Sequence, residues 1–263
     1  MTASRLQSAL AGGARAWGGW VVGPTLLGPE EFAAAGYDYV GLDTQHGYLS
    51  DADAALLLRR LEHVPIATAV RLPSAAPAPI GRVLDAGADA VIIAMVETPE
   101  QAAQAVAATR YAPAGVRSFG PLRAGLGVDT AALEARAGVY AMIETAAGCA
   151  NLADICAVPG LSGIYVGPAD LAISLGHPVP GLWETAEVTD TVQEIQRTAA
   201  AAGLVTGIHA GAGRIGNLVA GWGFQLISLA SESQALRRGA AEHLREATGE
   251  RPTAVEDTSK GYS

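Results

Sequence analysis

Gly138-Val139-Tyr140-Ala141-Met142-Ile143 and Leu161-Ser162-Gly163-Ile164-Tyr165-Val166 are two apolar runs that each stop at a lone acid. Ile143-Glu144-Thr145 follows the first and Gly167-Pro168-Ala169-Asp170-Leu171 the second. Both runs are too short for helices and rich in strand formers, so each reads as a buried parallel strand. Between them, Cys149 to Val158 has helical spacing and stops near Pro159-Gly160. The unit is therefore strand, helix, strand. In a barrel it would deliver Glu144 and Asp170 from the carboxyl ends of neighbouring strands, where barrel enzymes do their chemistry. Two carboxylates side by side suit a divalent metal. Read only locally, Glu144 caps the next helix and Asp170 is a turn residue.

The same alternation runs outward in both directions. Strands are expected at Trp17–Val22, Tyr37–Leu42, Pro65–Val70, Asp89–Ala94, Leu204–His209 and Phe224–Leu229. Helices are expected near Pro29–Ala35, Asp51–Glu62, Pro77–Ala86, Thr98–Arg110, Val188–Ala202, Ala212–Ala220 and Ser233–Ala247. Eight strand–helix repeats in this length predict an α/β fold, a closed (β/α)8 TIM barrel, over residues 1–249 with a short N-terminal helix. Residues 250–263 are polar and turn-rich and are expected to form a flexible tail. The longest irregular stretch, Tyr111 to about Val128, has the length of a functional or interface loop.

The composition narrows the classes of function. The chain is 50% hydrophobic with 32 glycines and 5% aromatics, which suits one α/β core of small aliphatic side chains. No apolar stretch is long enough to cross a bilayer, and no apolar secretory segment follows the arginines of the first twenty residues, so a cytoplasmic protein without a membrane partner is expected. A formal charge of −9 with scattered arginines argues against nucleic acid. Cys149 and Cys156 form no CxxC pair and read as reduced core residues. Lys260, in the tail, is the only lysine. Carbonyl chemistry through a core lysine Schiff base is thereby excluded, leaving activation by a metal, arginine or histidine.

Two further strand ends carry charge. Strand two ends in Asp43-Thr44-Gln45-His46-Gly47, where an aspartate near a histidine can orient the imidazole for acid/base work; a surface histidine beside a loop aspartate is the plainer reading. Strand three ends in Arg71, whose burial demands an anionic partner: a substrate carboxylate or enolate oxygen, or a structural ion pair with Asp85 or Asp43. Trp20 on strand one reads as core or as an apolar wall of the pocket. His46, Arg71, Glu144 and Asp170 converge on one face if the barrel is right.

Taken together, Leu42-Asp43-Thr44-Gln45-His46-Gly47, Val70-Arg71, Leu84-Asp85-Ala86-Gly87-Ala88, the stretch from Arg110 to Gly120, Ile143-Glu144-Thr145 and Gly163-Ile164-Tyr165-Val166-Gly167-Pro168-Ala169-Asp170-Leu171 resemble the HpcH/HpaI class of metal-dependent pyruvate aldolases, in register from about residue 17 to 232. The resemblance implies that Glu144 and Asp170 hold Mg2+ or Mn2+, with Co2+ a further candidate. It implies that His46 is the acid/base histidine with Asp43 its partner, and that Arg71 binds pyruvate. Asp85 becomes an aspartate near the intersubunit side of the site, and backbone N–H groups around Ala169 and Asp170 hold the pyruvate carboxylate. The activity implied is reversible cleavage of a 4-hydroxy-2-oxo acid into pyruvate and an aldehyde through a metal-stabilised enolate. The assembly implied is a hexamer with an exchanged C-terminal helix. Two positions depart from the pattern, Gln45 for a glutamate and Met142 for a glutamine, and both bear on how metal-bound water or the aldehyde is held. The aldolase reading needs no phosphate at His209-Ala210-Gly211-Ala212-Gly213-Arg214, which reads as a tight glycine turn rather than a phosphate cradle. A citrate-lyase-like or malyl-CoA-like lyase would need a basic nucleotide groove, which is not evident. The alternative from another class is a catalytically silent barrel that binds a partner.

Overall fold

The structure, a computed structural model, describes residues 3–249. Eight parallel strands pair in sequence order: β1 (Ala16–Val21), β2 (Tyr39–Asp43), β3 (Ala67–Leu72), β4 (Ala90–Ile93), β5 (Gly138–Ile143), β6 (Gly163–Val166), β7 (Val205–His209) and β8 (Leu226–Ser231). β8 pairs with β1, so the sheet closes into the expected (β/α)8 barrel. The expected tail over 250–263, with Lys260, lies outside the described residues.

The strands form because alternate residues satisfy two different apolar surroundings. In β5, Val139, Ala141 and Ile143 belong to the large cluster under the helices, whereas Tyr140 and Met142 belong to a smaller cluster inside the barrel. That inner cluster couples a few large rings, Trp20, Tyr39, Tyr140 and Tyr165, with small residues such as Ala67, Ala69 and Ala90. Close packing requires glycine opposite the rings: a Cβ on Gly41 would lie 2.3 Å from the Trp20 ring, and one on Gly207 2.5 Å from Tyr165. The hydroxyls of Tyr39 and Tyr165 both meet Ser228 Oγ, at 2.9 and 2.6 Å, so these buried polar groups are satisfied.

The amino-terminal end of the barrel is sealed. Helix Arg5–Ala9, capped by Ser4 with Gln7 closing a capping box, buries Leu6, and Leu10 follows it into the inner cluster. At the carboxyl-terminal end two helices differ from expectation. The helix expected over Cys149–Val158 is two short ones, Ala146–Ala150 and Leu152–Cys156, which meet at Asn151. The Asn151 amide donates to the Glu97 carbonyl at 2.8 Å, and its backbone leaves helical geometry (φ −100°, ψ 9°). An additional helix, Pro168–Ser174, starts directly after β6. The final helix, Glu232–Thr248, buries no residue and leaves Leu236 and Leu244 exposed. No helix among the described residues is long and apolar enough to cross a membrane.

Candidate active site

Parallel pairing of β2 with β3 sets Asp43 opposite Arg71, and both side chains are fully buried. Arg71 Nε donates to Asp43 Oδ1 at 2.9 Å, and Arg71 Nη2 donates to Oδ2. The Trp20 indole N–H donates to Oδ2 at 3.0 Å, while the backbone N–H groups of Gln45 and His46 donate to Oδ1 at 3.0 and 3.1 Å. Burial alone would raise the Asp43 carboxyl. The Arg71 guanidinium, by hydrogen bond and charge, and the two loop N–H groups hold it below the ordinary aspartate value. Of the partners open to Arg71, the ion pair with Asp43 is formed. Asp43 also fixes, through backbone N–H groups, the path of the loop that carries His46.

Across the mouth, Glu144 follows β5 and is 1% exposed. Its Oε1 accepts the Met95 N–H at 2.7 Å, and its Oε2 is buried with no hydrogen-bond partner among the described residues. Met95 reaches it by adopting φ 55°, a conformation rare for a side chain of this kind. Gly167 gives the other oxygen room, since a Cβ there would lie 2.4 Å from Oε2. Burial, together with repulsion from Asp170 and Asp43, pushes the Glu144 carboxyl up to about 7, although the Met95 N–H and the Arg71 charge pull the other way. Asp170 lies not on a strand end but in the first turn of helix Pro168–Ser174, behind Pro168 at the helix start.

The donor set fits a hard divalent cation. Among the described residues no cluster of three or more His, Cys, Asp or Glu side chains gathers as a metal cage. A buried carboxylate oxygen without a partner, beside a second carboxylate, matches the way Mg2+ is held by one or two carboxylates with water and substrate oxygens.

His46 lies in the exposed loop after β2 and lines a cavity of about 220 Å3 with Trp20 and His209. Trp20 is buried, with the Arg71 guanidinium 5.4 Å from its ring centre and His209 edge-on at 5.1 Å. Ala169 is buried in the same helical turn as Asp170. Asp85 stands apart. It ends helix Pro77–Asp85 just before β4, on the amino-terminal rim, and pairs there with Arg117 at 2.7 Å. A single chain does not bring it to the other residues.

Two contributors went unassigned in the sequence. Met95 had no signal, because a positive φ at methionine leaves no mark in composition. His209, at the end of β7, was grouped with the glycine turn that follows, where Gly211 has φ 71°. Burial, joined by the Arg71 charge and partly offset by Asp43, pushes the His209 imidazole down to about 4, so its ring is neutral at neutral pH.

The HpcH/HpaI aldolase/citrate lyase family model matches residues 18–238. The chain belongs to this family. It is 35% identical over 239 residues to a hydroxypyruvate/pyruvate aldolase of Rhizorhabdus wittichii, covering 89% of this chain and 95% of that one. It is 32% identical over 234 residues to a 5-keto-4-deoxy-D-glucarate aldolase of Klebsiella pneumoniae, covering 87% and 91%. Among solved structures, an HpcH/HpaI aldolase/citrate lyase family protein from Burkholderia cenocepacia superimposes with a TM-score of 0.84 at 30% identity, over 92% of this chain and 98% of that one. As an HpcH/HpaI protein the chain is a carbon–carbon lyase.

Proposed function

We propose that this lyase reversibly cleaves a 4-hydroxy-2-oxo acid into pyruvate and an aldehyde. The observation that carries the reading is the buried Glu144 oxygen, unpartnered among the described residues, beside Asp170 and at the same barrel mouth as the Asp43–Arg71 pair. Glu144 and Asp170 would hold Mg2+, Mn2+ or Co2+. When bound, the ion supplies positive charge to the keto acid's oxygens. Arg71, locked by Asp43 and stacked near Trp20, adds a second fixed positive charge where the enolate oxygen develops. The first-turn N–H groups of Ala169 and Asp170, which have no intrahelical acceptors, receive the pyruvate carboxylate.

His46 takes the proton of the 4-hydroxyl, and the C4–O bond becomes a carbonyl as C3–C4 breaks. The electron pair of that bond passes to C3, giving the pyruvate enolate, which then gains a proton at C3. Asp43 holds the His46 loop in place for this transfer. Trp20 forms one wall of the aldehyde side. Asp85 enters such a site only from a neighbouring subunit, so an oligomer, a hexamer by resemblance, is part of this reading.

The test is pyruvate release from a panel of 4-hydroxy-2-oxo acids with Mg2+ or Mn2+, beside a citrate and an acyl-CoA thioester control. Release from the hydroxy-oxo acids is expected. Cleavage of the thioester alone would replace this reading by the citrate-lyase-like one.

A further inference from the structure

At the opposite end of the barrel from the mouth, residues around the amino ends of β3, β4 and β5 enclose a second cavity, of about 170 Å3. Its charged lining comes from separate segments: Arg5 in the first helix, Arg123 in the irregular stretch after Tyr111, Arg136 at the end of helix Thr130–Arg136, and Asp89 just before β4. Among the described lining residues, three guanidinium groups thus stand against one carboxylate. Two further carboxylates adjoin the cavity. Glu62 Oε1 lies 3.4 Å from Arg123 Nη2, but Glu62 also pairs with Arg59 at 3.2 Å, so one negative charge serves two arginines. Asp85 is paired with Arg117. Two positive charges are left over once these pairs are matched.

The arginines are held in place without their donors being exhausted. Arg5 donates to the carbonyl oxygens of Val64, Ile66 and Glu62, which fixes its plane at the edge of the cavity. Arg136 Nη2 donates to Asp89 Oδ1 at 2.9 Å, and the other oxygen of Asp89 accepts the Thr68 N–H, also at 2.9 Å. The Nε–H groups of Arg123 and Arg136 are buried with no acceptor among the described residues. A buried charged donor left without an acceptor is costly, and in a native protein it calls for water or an ion to complete it. Arg123 also has a place shaped for it. A Cβ on Gly87 would lie 2.4 Å from Arg123 Nη1, and the φ of 103° there independently favours glycine.

We propose that this floor cavity binds a small dianionic oxyanion, a phosphate group or a short dicarboxylate, at a site separate from the barrel mouth. Planar guanidinium forks match the oxygens of either group, and two negative charges balance the two left over on the lining. The volume falls below that of pockets for drug-sized ligands, so the ligand is a small one. The bound anion ties together three segments that are far apart in sequence. Because the unfolded chain lacks the site, binding raises the stability of the folded protein.

The experiment is calorimetric titration of the full-length, Mg2+-loaded protein with inorganic phosphate and, separately, with succinate, at an ionic strength held constant with chloride. At least one of the two is expected to bind with a Kd of about 1 mM or tighter, and ten times that concentration to raise the thermal midpoint by about 3–5 °C. Tighter binding of phosphate assigns the site to a phosphoryl group, and tighter binding of succinate assigns it to a dicarboxylate. Arg123→Gln and Arg136→Lys are each expected to weaken binding at least about fivefold. The lysine keeps a cation opposite Asp89 and so spares the fold while removing the fork. Arg59→Gln, which takes an equal charge from the same rim without lining the cavity, is expected to change binding less than about twofold.

Three results overturn the proposal: no binding of either anion to the wild type at about 10 mM, binding unchanged in Arg123→Gln or in Arg136→Lys, or a loss in Arg59→Gln as large as in the other two. The second would place the anion at the mouth, and the third would reduce the effect to diffuse attraction by the floor. Binding is read here without turnover, so its failure and a failure of the pyruvate-aldolase reading are told apart.

Discussion

The two ends of the barrel both bury carboxylates, and the mouth pairs Asp43 as fully as the floor pairs its own but treats Glu144 differently. At the amino-terminal floor, Asp89 accepts the Thr68 N–H and Arg136 Nη2, each at 2.9 Å, and Asp85 accepts Arg117 Nη2 at 2.7 Å. At the mouth, Glu144 keeps one buried oxygen without a partner among the described residues, and its carboxyl is pushed up to about 7. A fold selected only for stability would satisfy that oxygen, because an unpaired buried carboxylate is costly. The contrast lies in Glu144 alone: the floor carboxylates and Asp43 are paired within the barrel, whereas Glu144 has an oxygen that a ligand could complete, at the end of the barrel where such folds do their chemistry.

Glu144→Gln breaks the comparison most sharply. The amide keeps the volume and removes the negative charge, so turnover is expected to fall about 10^3-fold, roughly 4 kcal/mol of transition-state stabilisation. The metal-free thermal midpoint should hold or rise, since a buried unpartnered carboxylate has been neutralised. A large drop in that midpoint would make Glu144 a structural residue like those of the floor.

His209 sharpens the contrast through pH. Its folded value of about 4 lies below the ordinary histidine value of 6.5, so the unfolded chain binds more protons between those values and stability falls as pH falls through that window. Replacement by glutamine should remove this loss, about 3 kcal/mol between pH 7 and pH 4. Denaturant melts of the two proteins across that range check it; parallel curves would mean that the ring is not buried as a neutral base.

At the floor, Asp89→Ala is expected to cost about 2–3 kcal/mol of stability, because it leaves Arg136 and the buried Thr68 N–H without their acceptor. The kcat/KM of the remaining folded protein should stay within about threefold, as suits a residue that packs and does not react. The smallest effect belongs to Met95. Asparagine tolerates positive φ better than methionine and keeps the N–H on Glu144, so Met95→Asn should gain roughly 0.5–1 kcal/mol with little change in turnover.

How much of this was legible in the sequence follows from the range of the forces involved. β5 was read with the same ends as found, because a continuous buried run flanked by a charged residue is a local signal. The helix over Cys149–Val158 was misread as continuous, since its break at Asn151 depends on a carbonyl more than fifty positions away. Asp170 was read as a strand-end residue, whereas Pro168 opens a helix there without any connecting loop. The Asp43–Arg71 pair remained one of several options until strand register put the two side chains opposite each other. The position of Asp85 on the far rim likewise follows from helix direction, not from any motif.

The central claim is that a divalent ion held by Glu144 and Asp170, and no protein amine, activates the carbonyl. The direct test is pyruvate release from a hydroxy-oxo acid by chelator-stripped wild-type protein titrated with Mn2+. The account predicts background turnover without metal, recovery that saturates near one Mn2+ per chain, and no recovery over the same range in Glu144→Gln. Turnover that survives the chelator, or inactivation by borohydride with pyruvate to leave a pyruvyl adduct on the chain, would contradict it.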